Sequence, residues 1–427
     1  MSKPMGAIPP DFRADGDGML LIGGRRADAL VAEAGDTPLF VYDLDMIDRR
    51  IARFRAAFDG IDLHYAMKAN PYPPVLKHVL SQVDGVDLAS GGELAIALEA
   101  GVAGAATSFA GPGKRDADLE AAIGAGVTLN CESEGEAERS LAIGARLGIA
   151  PRIAVRVNPD FEIKGSGMRM GGGAKPFGVD AERVPALVKR LVAAGAVFRG
   201  YHIFAGSQAL SVDALIEAQR ESVLLSRQLT DGCGTLPPLV NLGGGFGIPY
   251  FHGEQPVDVE RIATELDQNL RIHSKVFDET RFAIELGRWL VGEAGVYLTR
   301  IVDRKQSHGK TFLVTDGGMH HQLAASGNFG QLVRRNYPVA IANRFGGAEE
   351  EEVSIVGCLC TPLDRLADDV MTPKAEVGDL VAIFLAGAYG LSASPQAFLA
   401  QQPAREMVVG GEVGETRHPG EGLDLRG

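Results

Sequence analysis

The sequence predicts an α/β protein in which a (β/α)8 TIM-like barrel is joined to a mostly antiparallel C-terminal β domain. Apolar β-rich runs alternate with amphipathic helical segments over roughly 230 residues, close to the usual span of such barrels. After about Arg288 the amphipathic helices stop while the β-rich runs continue. A doubly wound sheet is the alternative, but it normally opens with a Gly-x-Gly-x-x-Gly turn, and here the first strand leads into "MKANPYPP".

Eight β-rich runs with helical segments between them predict the barrel strands. One such segment, "GELAIALEAG", repeats apolar residues at helical spacing and stops at Gly101. This alternation indicates βαβ units and a parallel sheet. The runs and their first residues are "IDLHYA" (Ile61), "GVDLA" (Gly85), "ATSFAG" (Ala106), "VTLNCE" (Val127), "RIAVRVN" (Arg152), "RGYHIFAG" (Arg199), "PLVNLGG" (Pro238) and "RFAIELG" (Arg281).

The domain boundaries follow from the change of pattern. We assign residues 37–288 to the barrel and residues 289–427 to the β domain. The strand of the N-terminal segment, residues 1–36, is expected to join the β domain, because a lone strand would leave its edges unpaired. Within the β domain we predict "EVSIVGCLC" as a β-rich run and "FGQLVRRN" as the one helical exception.

Composition narrows the classes of function. The 427 residues carry a net charge of −13 without a basic block, which argues against nucleic acid and anionic membrane surfaces as partners. The N-terminus has no apolar signal-peptide region, so we expect a cytoplasmic protein. Four cysteines form neither a disulfide framework nor a zinc pattern, and the adjacent His320 and His321 make a weak metal site, so no metal is expected.

Candidate chemistry lies at the carboxyl ends of the predicted strands, where barrels place their sites. Lys68 is either a surface lysine held by an ion pair or an amine kept as a nucleophile for a carbonyl. The glycines of "NLGGGFG" form either a tight turn or a backbone cradle for an anion. The polar residues and glycines at these ends are Lys68, Asp87, Glu93, Asn158, His202, Ser207, Gly243, Gly244, Gly245, Glu285, Gly287 and Arg288.

A lysine, a phosphate cradle and a carboxylate on one barrel face favour pyridoxal 5'-phosphate as the cofactor. Lys68 would form the Schiff base, and the glycine loops with Ser207 would hold the phosphate. Glu285 would pair with the ring nitrogen and keep it protonated, which makes the ring an electron sink. His202 would lie flat on the ring face.

The motifs resemble those of the barrel-type, alanine-racemase-like pyridoxal-phosphate decarboxylases, the diaminopimelate and ornithine decarboxylase group. The resemblance covers nearly the whole chain. Three longer stretches, "FAGPGKRDADL", "HIFAGSQAL" and "GAYGLSASPQAFL", are most similar to the exosortase-associated subgroup. The motifs in family order are "YAMKAN", "DLASGGEL", "HIFAGSQ", "GGGFG", "ELGR", "CLCTPLD" and "GAYGLSAS".

The resemblance implies that an amino acid loses its α-carboxylate as CO2 and that the enzyme is a homodimer with shared active sites. Cys360 would enter the partner's site and reprotonate the substrate carbon. The catalytic residues would then be Lys68, His202, Glu285 and Cys360. The implied cofactor contacts also include Asp87, Arg156, Ser207, Gly243, Gly244, Gly245, Gly287, Arg288 and Tyr389, with Glu93 beside them.

The substrate is less clearly implied than the cofactor. Ornithine and diaminopimelate decarboxylases usually carry an acid after the motif cysteine, and here that residue is Thr361. The substrate is therefore expected to be meso-diaminopimelate, a related amino acid or an amino acid attached to a carrier. The implied substrate contacts are Arg288, Arg334, Tyr337, Thr361, Asp364 and Tyr389.

Two other functions stay open on the sequence. An alanine-racemase-like enzyme would need a tyrosine base from the partner subunit, where this chain offers its cysteine motif. A non-catalytic homologue acting as a regulatory protein would have degraded cofactor motifs, whereas Lys68, the glycine loop and Glu285 are intact.

Overall fold

The computed structural model describes residues 2–162, 167–329, 331 and 333–411. The chain divides into two compact units. The first, here called the β unit, consists of the described residues up to Arg50, Ile248–Gln255 and the described residues from Arg288 to 411. The second, the barrel unit, consists of Ile51–Gly247 and Pro256–Gly287. The β unit thus takes more of the N-terminal region than the predicted segment 1–36.

The barrel unit contains a closed ring of eight parallel strands, as predicted. Each strand pairs with the next one along the chain, and the last pairs with the first. The strands are almost wholly buried, because helices cover one face and packed side chains fill the other. They are β1 Ile61–Ala66, β2 Gly85–Leu88, β3 Thr107–Phe109, β4 Thr128–Cys131, β5 Arg152–Asn158, β6 Val197–Ile203, β7 Leu239–Gly244 and β8 Arg281–Leu286.

Helices connect the barrel strands, and their ends follow local sequence signals. Ser90 caps the helix Gly91–Glu99 by accepting a hydrogen bond from the backbone N–H of Glu93. Short strands Met168–Arg169 and Gly206–Ser207 pair with each other, and Val179–Asp180 extends the sheet beside β5. The α-helices before β1 and between or after the strands are Leu44–Ala57, Pro73–Leu80, Gly91–Glu99, Asp116–Gly124, Glu134–Leu147, Val184–Ala193, Val212–Cys233 and Val259–His273.

The β unit is built on one mostly antiparallel sheet. Its long strand Gly295–Ser307 pairs with Lys310–Thr315, with Leu380–Ile383 and with the N-terminal strand Leu39–Asp43. An N-terminal strand thus joins this sheet, as expected, but it lies just after the predicted segment 1–36, whose own strands form a separate small sheet. The other strands of the sheet are Val339–Ile341, Glu350–Val356, Arg365–Pro373 and Arg405–Val409; a small sheet holds Arg13–Ala14, Leu20–Ile22 and Arg25–Arg26, and the α-helices are Ala27–Ala34 and Arg288–Val291.

Two local predictions for the β unit differ from the structure, the first only in part. The strand in "EVSIVGCLC" ends at Val356, before both cysteines. The chain turns there because the backbone N–H of Gly357 donates to the carbonyl oxygen of Asp364 and the Asp364 carboxylate accepts from the N–H of Leu359. The residues of "FGQLVRRN" that the structure describes contain no helix. Across the described ranges, no helix has the length and apolar character needed to cross a membrane.

Candidate active site

A partly exposed amine and a buried carboxylate meet at the carboxyl end of the barrel. Lys68 lies in the 3-10 turn Met67–Ala69 directly after β1, and Glu285 lies in β8, which pairs with β1. Nζ of Lys68 is 3.7 Å from Oε1 of Glu285, and the two side chains are 40% and 4% exposed. The amine therefore remains accessible to a small molecule while it faces an anion held in place by the barrel.

His202 also contacts Glu285. It lies in β6, which is separated from β8 by β7. Its Nε2 lies 3.0 Å from Oε2 of Glu285. Burial alone would raise the pKa of Glu285, but Lys68, His202 and Arg156 together lower it below its ordinary value. Nδ1 of His202 is buried and has no hydrogen-bond partner in the described chain. A buried ring nitrogen left unsatisfied costs about 1–3 kcal/mol, so it marks a place where a bound group can hydrogen-bond.

The glycines after β7 bring backbone close to neighbouring backbone. Gly243 and Gly245 have φ angles of +69° and +76°, which favour glycine. A methyl group on Gly243 would lie 2.6 Å from the carbonyl oxygen of Ile203, and one on Gly244 would lie 2.0 Å from that of Glu285. These positions therefore require glycine, and the resulting turn can approach a phosphate without obstruction from side chains.

Gly287 follows β8 at the same end of the barrel and is equally restricted. A methyl group there would lie 2.7 Å from the side chain of Ala69, next to Lys68. The amine, the anion and the glycine turn together fit pyridoxal 5'-phosphate: an aldehyde for Lys68, a pyridine nitrogen for Glu285 and a phosphate for the turn.

Asp87 lies below this end in a buried hydrogen-bond network. Its carboxylate accepts from Ser108, from Asn241 at 3.4 Å and from Nδ1 of His64 at 3.2 Å. Oδ1 of Asn241 in turn accepts from the backbone N–H of Gly243 at 2.9 Å. Sequence reasoning missed Asn241, although an amide within the apolar run "PLVNLGG" could have indicated it.

Three more predicted cofactor residues lie in the barrel unit. Arg156 of β5 is buried and donates through Nη1 to Oε1 of Glu132 at 2.8 Å. Oε2 of Glu93 accepts from the backbone N–H of Ala89 at 2.6 Å, and burial raises the pKa of Glu93. Ser207 is half-buried in its short strand. Their contacts with the cofactor stay predictions.

In the β unit, aromatic side chains surround the guanidinium group of Arg288. Its Nη1 donates to the hydroxyl of Tyr250 at 2.7 Å, and its guanidinium lies 4.6 Å from the ring centroid of Tyr389. The rings of Tyr250 and Tyr337 pack in a tilted arrangement, with their centroids 4.8 Å apart. Nε of Arg288 is buried without a hydrogen-bond partner among the described residues. An arginine held this way can bind a carboxylate or phosphate through its free edge.

Tyr250 was missed at the sequence level, because nothing in "GIPYF" distinguishes its tyrosine from a core aromatic. Tyr389 has a positive φ of +53°, an uncommon conformation for a residue other than glycine. Such conformations cluster at functional sites, which agrees with the predicted role of Tyr389 without testing it.

The remaining predicted substrate residues differ in how far their groups are already occupied. The Asp364 carboxylate is buried and accepts from the backbone N–H groups of Met319 at 2.6 Å and Leu359 at 2.8 Å. Arg334 donates through Nη2 to the carbonyl oxygen of Arg365. Thr361 is half-buried and Cys360 is exposed. Asp364 and Arg334 therefore shape their loops, and their contacts with a substrate stay predictions.

Comparisons with known proteins agree with this chemistry. Residues 44–292 match the family model for the pyridoxal-binding domain of pyridoxal-dependent decarboxylases. The chain is 37% identical over 371 residues to the L-glutamyl-[BtrI acyl-carrier protein] decarboxylase of Niallia circulans, covering 85% of this chain and 86% of that one. It is 31% identical over 402 residues to the diaminopimelate decarboxylase of Archaeoglobus fulgidus, covering 93% of each.

A solved structure adds the same relationship in three dimensions. The diaminopimelate decarboxylase from M. jannaschii in complex with L-lysine aligns with a TM-score of 0.85 at 27% identity, over 94% of this chain and 93% of that one. The similarity thus extends over both units rather than over the cofactor-binding part alone. The chain belongs to the pyridoxal-dependent decarboxylase family.

Proposed function

We propose that this enzyme removes the α-carboxylate of an amino acid that is attached to a carrier through its side-chain acyl group. The relative named for a glutamyl group on an acyl-carrier protein is 37% identical, whereas several diaminopimelate decarboxylases are 30 to 32% identical. An acyl-linked side chain has no charge at its far end. Thr361, in place of the acid usual in the family, suits such a neutral end.

The observation that carries the reaction is the pair of Lys68 and Glu285 at 3.7 Å. When bound, pyridoxal 5'-phosphate supplies an electron sink for the electron pair left as CO2 departs. Lys68 would hold the cofactor through its aldehyde carbon and would release that carbon to the substrate amine. Glu285 stays anionic because Lys68 and His202 lower its pKa, so it can hold a proton at the pyridine nitrogen. The turn from Gly243 to Gly245 would hold the phosphate, and the buried His202 would lie against the ring.

Protonation of the substrate carbon is assigned to Cys360. Its thiol is exposed on a loop of the β unit, where a second subunit can receive it. The active unit would therefore be a homodimer with shared sites. An exposed catalytic thiol also needs a reducing compartment, which supports the predicted cytoplasmic location.

Free meso-diaminopimelate is the second candidate substrate. It is favoured by the 31% identity over 93% of the chain to a diaminopimelate decarboxylase. Arg334 and Tyr337 would then meet the distal carboxylate, and the product would be lysine, which would place the enzyme in lysine biosynthesis.

The test is release of CO2 from purified enzyme across a substrate panel. The panel contains L-glutamyl-carrier protein, meso-diaminopimelate, and free glutamate, ornithine, lysine and arginine. We expect kcat/KM for the carrier-linked substrate to exceed that for meso-diaminopimelate at least about 100-fold, equivalent to about 2.7 kcal/mol of transition-state binding. The reverse preference would assign the enzyme to the second candidate. Racemisation without CO2 release would contradict both.

A further inference from the structure

A cavity of about 310 Å³ lies in the barrel unit at the amino ends of the strands, opposite Lys68 and Glu285. Its lining includes the first residues of five strands, namely Thr107 of β3, Thr128 of β4, Arg152 of β5, Leu239 of β7 and Arg281 of β8. We call it the amino-end cavity. It is separate from the proposed decarboxylation site, because Lys68, His202 and Glu285 lie at the carboxyl ends of the strands.

The acidic side chains at the amino-end cavity are already paired. Arg281 contacts Asp62, with Nη2 and Oδ1 2.6 Å apart. Asp84 contacts Arg55, with Oδ2 and Nη1 2.6 Å apart, and also accepts the backbone N–H of Leu63. These two acids therefore have little capacity left to neutralise another cation.

Two further arginines line the same cavity without such a partner. In the part of the chain that the structure describes, neither Arg152 nor Arg199 forms an ion pair. Nε and Nη2 of Arg152 are buried and have no hydrogen-bond partner there. Burial, followed by the neighbouring Arg152 and Arg281, lowers the pKa of Arg199. Like charges withdrawn from water without a counter-charge are unfavourable, and a bound anion would remove that cost.

The rest of the lining suits an oxyanion. Thr128 brings a hydroxyl group to the cavity, and Asn130 and Asn241 bring amides that each donate one hydrogen bond within the barrel. The hydroxyls of Thr107 and Ser108 already donate to the carbonyl oxygen of Ala103 and to Asp87. The volume of the cavity lies at the lower end of the range for small-molecule pockets, which is about 300–1,000 Å³. A ligand the size of a nucleotide with its base would therefore not fit. Guanidinium groups bind carboxylate and phosphate oxygens in pairs.

We propose that the amino-end cavity is a binding site for a small metabolite with two oxyanion charges, held by Arg152 and Arg199. A dicarboxylate and a phosphate share this chemistry. Malonate and inorganic phosphate are suitable probes, because each fits a cavity of this size and carries up to two negative charges near neutral pH.

The experiment measures thermal unfolding of the enzyme saturated with pyridoxal 5'-phosphate, so that the catalytic phosphate site is filled. Malonate and phosphate are titrated separately against sodium chloride at matched ionic strength. We expect one or both to raise Tm in a saturable manner. The probe that gives the larger shift indicates whether the natural ligand is a dicarboxylate or a phosphate. Arg152→Gln and Arg199→Gln should each lose at least about 90% of the shift. Arg190→Gln, which removes an exposed arginine on the helix Val184–Ala193, should keep it.

Two results would overturn the proposal. One is a Tm shift no larger than that of sodium chloride. The other is an equal shift in wild type, Arg152→Gln and Arg199→Gln, which would place the anion elsewhere. If one arginine variant fails to fold, the other carries the comparison. A crystal of the wild-type holoenzyme grown in malonate must also show density between the two guanidinium groups, and its absence at saturation would contradict the assignment.

Discussion

The two ends of the same barrel treat charge in opposite ways. At the carboxyl end, the Lys68 amine faces Glu285, and Glu285 also contacts His202, so each charge has a partner. At the amino end, Arg152 and Arg199 line a cavity without an ion-pair partner in the described chain. The carboxyl end, where charged side chains pair with one another, suits a cofactor that binds covalently. The amino end, where two arginines have no acidic partner, suits an anion. One sheet can therefore carry two separate chemistries.

The largest expected effect is loss of the amine at the carboxyl end. Lys68→Ala should lower kcat/KM for decarboxylation by about 10⁴-fold or more, because no other group can exchange the cofactor between enzyme and substrate. CO2 release and cofactor absorbance measure it. Lys189→Ala, on the exposed face of Val184–Ala193, is the matched control. Decarboxylation by Lys68→Ala at the wild-type rate would refute the assignment.

The next effect tests whether the carboxyl end needs a thiol from outside the barrel. Cys360→Ala should lower kcat by about 10²-fold, because protonation of the substrate carbon loses its acid. Its products should shift toward an aldehyde or ketone, since a misplaced proton leaves the nitrogen on the cofactor. Product analysis by mass spectrometry measures the shift.

Cys358→Ala is the control for that experiment. Cys358 is half-buried, and burial raises the pKa of its thiol to about 11, so it is a poor proton donor at neutral pH. Unchanged products and rate in Cys360→Ala, or equal damage in both variants, would contradict the assigned role.

A smaller effect is expected in the layer between the two ends. Asn241→Ala removes the link between Asp87 and the backbone N–H of Gly243, so the glycine turn should hold phosphate less firmly. Titration of cofactor-free enzyme with pyridoxal 5'-phosphate should show a Kd about 5- to 10-fold weaker, the value of about one hydrogen bond. Asn269→Ala, on the helix Val259–His273, should leave Kd unchanged. A Kd for Asn241→Ala equal to that of wild type would show that the network does not position the turn.

The smallest effect concerns pH and the His64 side chain at the amino-end cavity. Burial would lower the pKa of His64, but Asp87, Asp62 and Glu285 raise it above the ordinary value of 6.5. A raised pKa stabilises the fold below pH 6.5, and this stabilisation is lost as pH rises through the higher folded value.

The free energy of unfolding of wild type relative to His64→Gln should therefore fall as pH rises above about 6.5. Chemical denaturation at several pH values measures it, with His252→Gln as an exposed control. A difference that stays flat or grows with pH would show that His64 is neutral in the folded protein.

The sequence could predict those features that depend on residues close together in the chain. The barrel strands were predictable, because each is an apolar run between helix signals that lie within a few residues of it. Lys68, Glu285 and the turn from Gly243 to Gly245 were found because ring closure brings all carboxyl ends together. Helix ends such as the one capped by Ser90 are local in the same way.

What the sequence could not predict depends on partners far away in the chain. Cys360 was placed in a β-rich run, but the carboxylate of Asp364 draws the backbone into a loop together with Met319. The sequence could not predict that Arg152 lacks an acidic partner either, since Arg152, Arg199 and Arg281 all lie at the start of a predicted strand. Only the folded ring shows that Asp62 and Asp84 are used by other arginines.

The most direct test of the central claim is to locate the lysine that binds the cofactor. Enzyme loaded with pyridoxal 5'-phosphate is reduced with borohydride, digested and mapped by mass spectrometry. The geometry predicts a pyridoxyl group on Lys68, whose amine is accessible and faces Glu285. A label on another lysine, for example Lys114, which is buried against Glu136, or no label at all, would contradict the account.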